Sequence, residues 1–342
     1  MDMMPFILIG ITLIILLWAS GRFFYKVLSP ATNLNGKKDC YLYIPTGASL
    51  FTVIDSITVN KCFISKENFI WLAKRKQYDK HIIPGRYRIK HKMSNNSLVN
   101  LLRSGHQEPL RITIHNVRTP RELAGKLGKK FEQDSIQFIR LFNNPYFLAR
   151  FGVSPTTLFV LFIPNTYDLF WNTSGELLLE KMGKEYQRFW SVQRRQQVDS
   201  LKLTIVEVVT LASIVEKESN KDDEKPIVAS VYLNRLKKKM LLQADPTVIF
   251  AWQNFSIRRV LKKHTEIISP YNTYINSGLP PGPICLPSIA SIEAVLGAKS
   301  HNYLYFCAKE ELSGYHNFAT TLDEHNRNAR KYQAALNKLN IR

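Results

Sequence analysis

The sequence predicts an α+β protein in three parts: an N-terminal membrane anchor, a small α/β domain and a larger mixed α/β domain that carries the chemistry. Three observations predict it. Met3 to Ala19 contains no charged residue. From Tyr41 to Val117, short strand patterns alternate with short amphipathic helices. From residue 196 onward the chain runs through apolar and polar helices joined by loops rich in Pro, Asn and Tyr. The boundaries read as an anchor over 1–24, a stalk over 25–40, the small domain over 41–110 and the larger one over 111–342.

Taken in order, the uncharged run of ~17 residues gives a helix of ~25 Å, at the short limit for crossing a bilayer. Arg22 and Lys26 follow it and only Asp2 precedes it, so charge leaves the orientation open. Ala19, Ser20 and Gly21 also suit a cleaved signal peptide, but no basic segment precedes the run and the run is long for one. The polar stalk contains Pro30, Gly36 and the pair Lys37–Lys38. "YLYIPTGASLFTVIDSI" reads as a strand, a turn and a helix with Leu50, Val53 and Ile54 on one face. "SKENFIWLAKRKQY" is a helix capped by Ser65, "IIPGRYRIKHKMS" a strand with a Pro84–Gly85 turn in front, "SNNSLVNLLRSG" a helix stopped at Gly105, and "LRITIHNV" a strand. Residues 119–195 read as mainly helical, with a loop at "FIPNTYDLFWNTSGE"; near the end come a strand, "NYLYFCA", and a closing helix containing "YHNFATTLDEHNRNARKY".

Composition is that of a globular protein, 45% apolar and 22% charged, in a chain of 342 residues, long enough for two cores. The formal charge of +20 favours a polyanionic partner: nucleic acid, anionic lipid or an acidic polymer. The basic residues are scattered, with no recognition helix or aromatic–basic sheet motif, which argues against nucleic acid. Cys40, Cys62, Cys285 and Cys307 have no metal-binding spacing, so no metal is expected. Cys40 and Cys62 are either a pair, if the chain faces an oxidising compartment, or small buried hydrophobes.

The chemistry points to "LASIVEKES". At about 100° per residue, Glu216 and Glu218 face nearly opposite sides of a helix and cannot act as one carboxylate pair. Glu218 shares a stripe with Leu211, Ile214 and Val215, where lost hydration raises a carboxyl pKa. A raised pKa is what protonating a glycosidic oxygen near neutral pH requires. Two alternatives stay open: Glu218 pairs with a lysine or caps the next segment, and Glu207, close to the same face, is a competing or supporting acid. "QADPTVIF" gathers an amide, an acid and a hydroxyl, though Asp245-Pro246 is equally a helix start. "SPYNTY" and "SGLPPGPI" are rigid loops whose rings and amides suit sugar recognition or simple loop architecture.

The ordered series "LASIVEKES…VYLNRL…LLQADPTVIF…SPYNTY…SGLPPGPI…LYF…HNFATTLDEHN" resembles the catalytic region of the endolytic murein transglycosylases, the YceG-like family. Upstream, "IPGRYRI" followed by "SLVNLLRSG" resembles that family's LysM-like domain, and "FIPNTYDLF" its F-P-D-T-Y segment. The sequence departs from the pattern at Asn165, where an Asp is common, and at Cys285-Leu286-Pro287-Ser288, where a Pro-Gly pair often follows Ile284. The resemblance implies Glu218 as catalytic acid and Gln243, Asp245, Thr247, Tyr271, Asn272 and Tyr274 as residues shaping the substrate cleft. It implies cleavage of the MurNAc-β-1,4-GlcNAc bond of nascent peptidoglycan to leave 1,6-anhydro ends and end strand growth, without cofactor. The implied setting is the inner membrane, with the catalytic domain on the periplasmic side, glycan strands as substrate and cell-wall synthases as candidate partners. The alternative is a non-enzymatic, membrane-anchored scaffold that binds peptidoglycan.

Overall fold

The structure is a computed structural model and describes residues 4–34, 38–59 and 66–338. It forms two compact units: residues 1–112 with 130–132 and 168–174, and residues 113–129, 133–167 and 175–342. The architecture is mixed α/β, preceded by an apolar N-terminal helix.

Helix α1 (Met4–Leu28) opens the chain. Its segment Ile7–Leu28 is long and apolar enough to cross a membrane, about 33 Å at 1.5 Å per residue. The uncharged run ends at Ala19 and the expected anchor at residue 24; the helix continues through Arg22 and Lys26 to Leu28. Aromatic rings accompany the two cations, with Arg22 lying over Trp18 at 4.8 Å and Lys26 over Trp71 at 5.1 Å. Phe23 packs edge-on against Trp71, centroids 5.9 Å apart. The following stretch behaves as part of the first unit: Ala31, Thr32 and Leu34 are buried, and Thr32 Oγ1 donates to the Lys90 carbonyl at 2.8 Å.

The first unit continues with β1 (Asp39–Ile44), α2 (Leu50–Val59), α3 (Lys66–Arg75), β2 (Gly85–Lys90), α4 (Asn95–Ser104) and β3 (Leu110–Ile114). Strands β1 and β2 pair antiparallel from Asp39↔Lys90 to Ile44↔Gly85. Period-two alternation turns Leu42 and Ile44 on one strand, and Tyr87 and Ile89 on the other, into a core with Val53, Ile57, Phe69, Leu72 and Leu98. Helix α4 begins where the Ser94 side chain accepts from Ser97 N and ends at Gly105, whose φ of 68° suits a residue without a Cβ. Ser65 and Cys62 lie outside the described residues, and with them the expected cap of α3 and the question of a Cys40–Cys62 pair.

The second unit contains α5 (Pro120–Gly128), α6 (Ser135–Phe142), α7 (Pro145–Ala149), β4 (Asn165–Leu169, whose last two residues are counted with the first unit), α8 (Gly175–Phe189), α9 (Val192–Ser200), α10 (Ile205–Glu218), α11 (Lys225–Lys237), α12 (Asp245–Trp252), α13 (Lys262–Thr265), α14 (Ile289–Leu296), β5 (Tyr305–Ala308), β6 (His316–Ala319) and α15 (Leu322–Lys338). Helix α10 is its axis. Val208 to Val215 are all buried, and α11, α12 and α14 pack around it. Two expectations are corrected. Asn165–Leu169, read as loop, is strand β4, and His316–Ala319, read as helix, is strand β6, paired antiparallel with β5 from Tyr305↔Ala319 to Ala308↔His316. Cross-strand pairing fixes both, and the closing helix is deferred until Thr321, whose hydroxyl accepts from Glu324 N at 3.3 Å.

Candidate active site

Helix α10 starts with a reciprocal cap. Thr204 Oγ1 accepts from Glu207 N, and Glu207 Oε2 accepts from Thr204 N at 2.7 Å. Glu207, open from the sequence as a second acid, is thereby a capping residue three turns away from Glu218. The last turn of α10 delivers Glu216, Lys217 and Glu218, and the two carboxylates meet opposite fates.

Glu216 is locked. It accepts from Ser288 N at 3.2 Å, from the hydroxyls of Ser288 and Ser291, and faces Lys225 Nζ at 3.4 Å. Burial alone would raise its pKa, but the two hydroxyls and the lysine outweigh that and hold it below the usual carboxylate value. Glu218 has one side-chain partner of this kind: Tyr232 OH donates to its Oε1 at 2.6 Å. The group opens onto a cleft but is otherwise surrounded by protein. That desolvation raises its pKa to about 7; the charge of Asp245 adds to the rise, while the Tyr232 hydrogen bond and Arg235 oppose it.

The cleft has a volume of about 310 Å³ and is lined by Glu218, Tyr232, Arg235, Leu242, Gln243, Asp245, Tyr274, Phe306 and His325. Of the residues singled out in the sequence, it brings Glu218, Gln243, Asp245 and Tyr274 together. Gln243 has a left-handed backbone, φ 52°, and its N–H donates to the Thr273 carbonyl at 3.0 Å. Asp245 occupies the first turn of α12, yet its carboxylate does not cap the helix; it accepts from Tyr274 OH at 2.5 Å. Desolvation raises the Asp245 pKa against the effect of that hydrogen bond.

The other three stand outside this lining. Thr247 is buried, its hydroxyl hydrogen-bonded to the Ala244 carbonyl at 2.7 Å and to the Thr273 hydroxyl at 2.8 Å. Asn272 is buried as well; its amide donates to the Thr265 and Ile267 carbonyls, and its oxygen accepts from Tyr274 N at 3.0 Å. Both hold the loops that carry Gln243 and Tyr274 rather than facing the cleft. Tyr271 packs against Phe250, centroids 4.7 Å apart. The variant loop after Ile284 is docked inward, with Ile284 N donating to Ser213 Oγ at 2.9 Å and Leu286 N to the Val117 carbonyl. Asn165 is exposed, and its side chain accepts from Thr166 N.

Sequence reasoning did not single out Tyr232, Arg235, Phe306 or His325. Arg235 is the framework of the cleft: Nε donates to the Leu304 carbonyl at 2.6 Å, and Nη1 to the Leu242 carbonyl at 2.9 Å and to Gln243 Oε1 at 3.4 Å. A signal did exist, since Tyr232 and Arg235 are three apart on α11 and so share a face. Phe306 and His325 come from β5 and α15, far along the chain, with no local pattern to mark them.

This arrangement defines a class of site: one protonatable carboxyl at neutral pH, set in a polar cleft beside a second carboxylate on a mixed α/β scaffold, suited to acid–base chemistry. The chain belongs to the YceG-like family, whose model matches residues 42–331. It is 30% identical over 335 residues to the endolytic murein transglycosylase of Bacillus subtilis (strain 168), covering 93% of this chain and 92% of the relative. The endolytic murein transglycosylase of Streptococcus pneumoniae serotype 2 is 27% identical over 96% of this chain, which spans 65% of that relative. The crystal structure of a YceG-like protein from Listeria monocytogenes superposes with a TM-score of 0.57 at 28% identity, over 85% of this chain and 99% of that one.

Proposed function

We propose that this chain is an endolytic peptidoglycan transglycosylase, with Glu218 as its acid and base. The observation that carries the reading is the Glu218 carboxyl set on the cleft and hydrogen-bonded by Tyr232 OH, where desolvation raises its pKa to about 7. Its proton passes to the bridging oxygen as the bond from the muramic acid C1 breaks. The sugar's own C6 hydroxyl closes on C1, and its proton returns to the Glu218 carboxylate. One group thus serves both steps, and the product ends in a 1,6-anhydro ring. Gln243, Asp245 and Tyr274 bind the sugar from the cleft wall; Thr247, Asn272 and Tyr271 act behind them on the loops.

The same cleft favours one other reading. Asp245 supplies a second carboxylate, and two carboxylates can activate water and hydrolyse the bond. Hydrolysis leaves a reducing end one water heavier, so product mass separates the two. The experiment is digestion of purified peptidoglycan by wild type, Glu218→Gln and Glu216→Gln, with end groups identified by mass spectrometry. Anhydro ends from wild type, their loss by at least 10³-fold in Glu218→Gln and retention of the wild-type fold are expected. Anhydro products persisting in Glu218→Gln would sink the assignment.

The setting follows the same reading. In this reading residues 1–24 are an anchor, 25–40 a connecting segment whose Ala31, Thr32 and Leu34 pack into the first unit rather than a free stalk, 41–110 a LysM-like glycan-binding domain and 111–342 the catalytic domain. The apolar α1 supports a single-pass anchor in the inner membrane, with the catalytic domain on the periplasmic side, beside nascent strands and their synthases. The excess positive charge suits anionic lipid and wall carboxylates rather than nucleic acid.

A further inference from the structure

Behind the cleft lies a second cavity, of about 180 Å³. Its walls are apolar, from Ile249 and Phe250 on α12, Phe255 and Ile257 in the loop after it, and Ile284. Two cations, Arg118 and Lys217, stand on it, and no acidic residue lines it. Arg118 lies over the Phe255 ring at 5.1 Å and gives one N–H to the Phe255 carbonyl at 3.4 Å, which leaves other guanidinium donors for a ligand. The nearby acid, Glu122, is engaged by Lys126 Nζ at 2.8 Å and by the Arg118 backbone N–H. The loop continues into exposed Arg258, Arg259, Lys262 and Lys263, followed by the exposed acid Glu266, which leaves the segment net positive.

The linings of the cavity and the cleft adjoin along the chain at two places. Lys217 immediately precedes Glu218 on α10, and Asp245 immediately precedes Pro246 on α12, so each pair of neighbours is split between the two spaces. Consecutive Cα atoms are about 3.8 Å apart. A ligand reaching from one space to the other therefore crosses only the end of one helix and the start of another. A cavity of about 150 Å³ holds a benzene-sized group, so this one has room for one residue of a peptide.

We propose, resting on the reading of the cleft as a peptidoglycan site, that this cavity is a subsite for the acidic stem peptide carried by the muramic acid at the scissile bond. Arg118 and Lys217 take a stem carboxylate, and the apolar walls take the adjoining aliphatic part. The cavity makes the enzyme prefer glycan that still bears stems.

The test uses the full chain in detergent with two substrates, stem-bearing strands and the same strands stripped of stems by an amidase. Wild type is expected to cleave the stem-bearing glycan with a kcat/KM about tenfold higher. The double variant Arg118→Gln/Lys217→Gln is expected to bring that ratio to about one, mainly through KM. A fluorescent stem tetrapeptide, followed by anisotropy, is expected to bind wild type and Glu218→Gln equally and the double variant at least tenfold more weakly. An unchanged ratio in the double variant overturns the proposal, as does equal binding of the tetrapeptide and its neutral amide. If wild type cuts neither glycan, the reading of the cleft fails, while the binding arm still decides the cavity.

Discussion

At the scale of the residue, two glutamates two positions apart acquire opposite pKa shifts through their burial and their partners. Glu216 is held as a carboxylate by two serine hydroxyls and a lysine; Glu218 is desolvated and hydrogen-bonded by a phenol. Because the Tyr232 hydrogen bond favours the charged form of Glu218, Tyr232→Phe is expected to raise the pKa of the acid further, by about one unit. The alkaline limb of the pH–rate profile should then move to higher pH, with a lower kcat; an unmoved limb would show that Tyr232 does not tune the acid. The same residue carries a stability consequence. The folded pKa of about 7 lies above the ordinary 4.5, so the favourable contribution is present below 4.5 and is lost as pH rises through 7. Glu218→Gln removes that titration. Denaturant melts should show the variant gaining on wild type between pH 5 and pH 8, by at most about 3 kcal/mol. Helical angle was enough to separate the two glutamates in the sequence, because it follows from 100° per residue and nothing else. Phe306 and His325 were not legible, since what brings them to the cleft is the packing of β5 and α15, not any local spacing.

At the scale of the element, the loop after "SGLPP" shows how a short segment is fixed. A Cβ placed on Gly282 would lie 2.3 Å from the Thr156 carbonyl oxygen, so the backbones pass too closely for any side chain. Gly282→Ala is expected to destabilise the chain by about 1–3 kcal/mol and to loosen the loop that carries Ile284 to Ser213; thermal melting checks it, and an unchanged melt would contradict the contact. The helices were legible where caps and apolar stripes are written locally, as with Ser94 and Gly105 on α4; the Thr204–Glu207 cap of α10 went unread because Glu207 was weighed as an acid. Strands β4 and β6 were not. Each has four or five residues, and their pairing partners, rather than their own alternation, hold them extended. Thr247 and Asn272 show the same limit within a motif. Their residue types suit a sugar, but burial turns their hydrogen bonds inward to backbone carbonyls and a neighbouring hydroxyl.

At the scale of the whole molecule, the N-terminal segment has two parts with different roles. The outer turns of α1 present Ile7 to Trp18 to the surroundings, whereas Ala31, Thr32 and Leu34 belong to the core of the first unit. A chain starting after Trp18 is expected to leave the membrane fraction and melt like wild type; one starting after Leu34 should melt lower, because buried apolar groups are lost. Fractionation and calorimetry on the two truncations check this, and equal melts would refute the division. Composition and charge narrowed the class of partner from the outset, while the uncharged run marked only the outer part of α1, which continues past Arg22 and Lys26 to Leu28.

The fixed rotation of α10 restricts how this protein can diversify. Removing or adding a single residue within the helix before Glu216 would swing the terminal turn by about 100°, breaking the serine latch and carrying the proton donor away from the cleft in one event. Variation along this helix is therefore confined to exchanges in place, and descendants should keep its length while their surface loops grow and shrink.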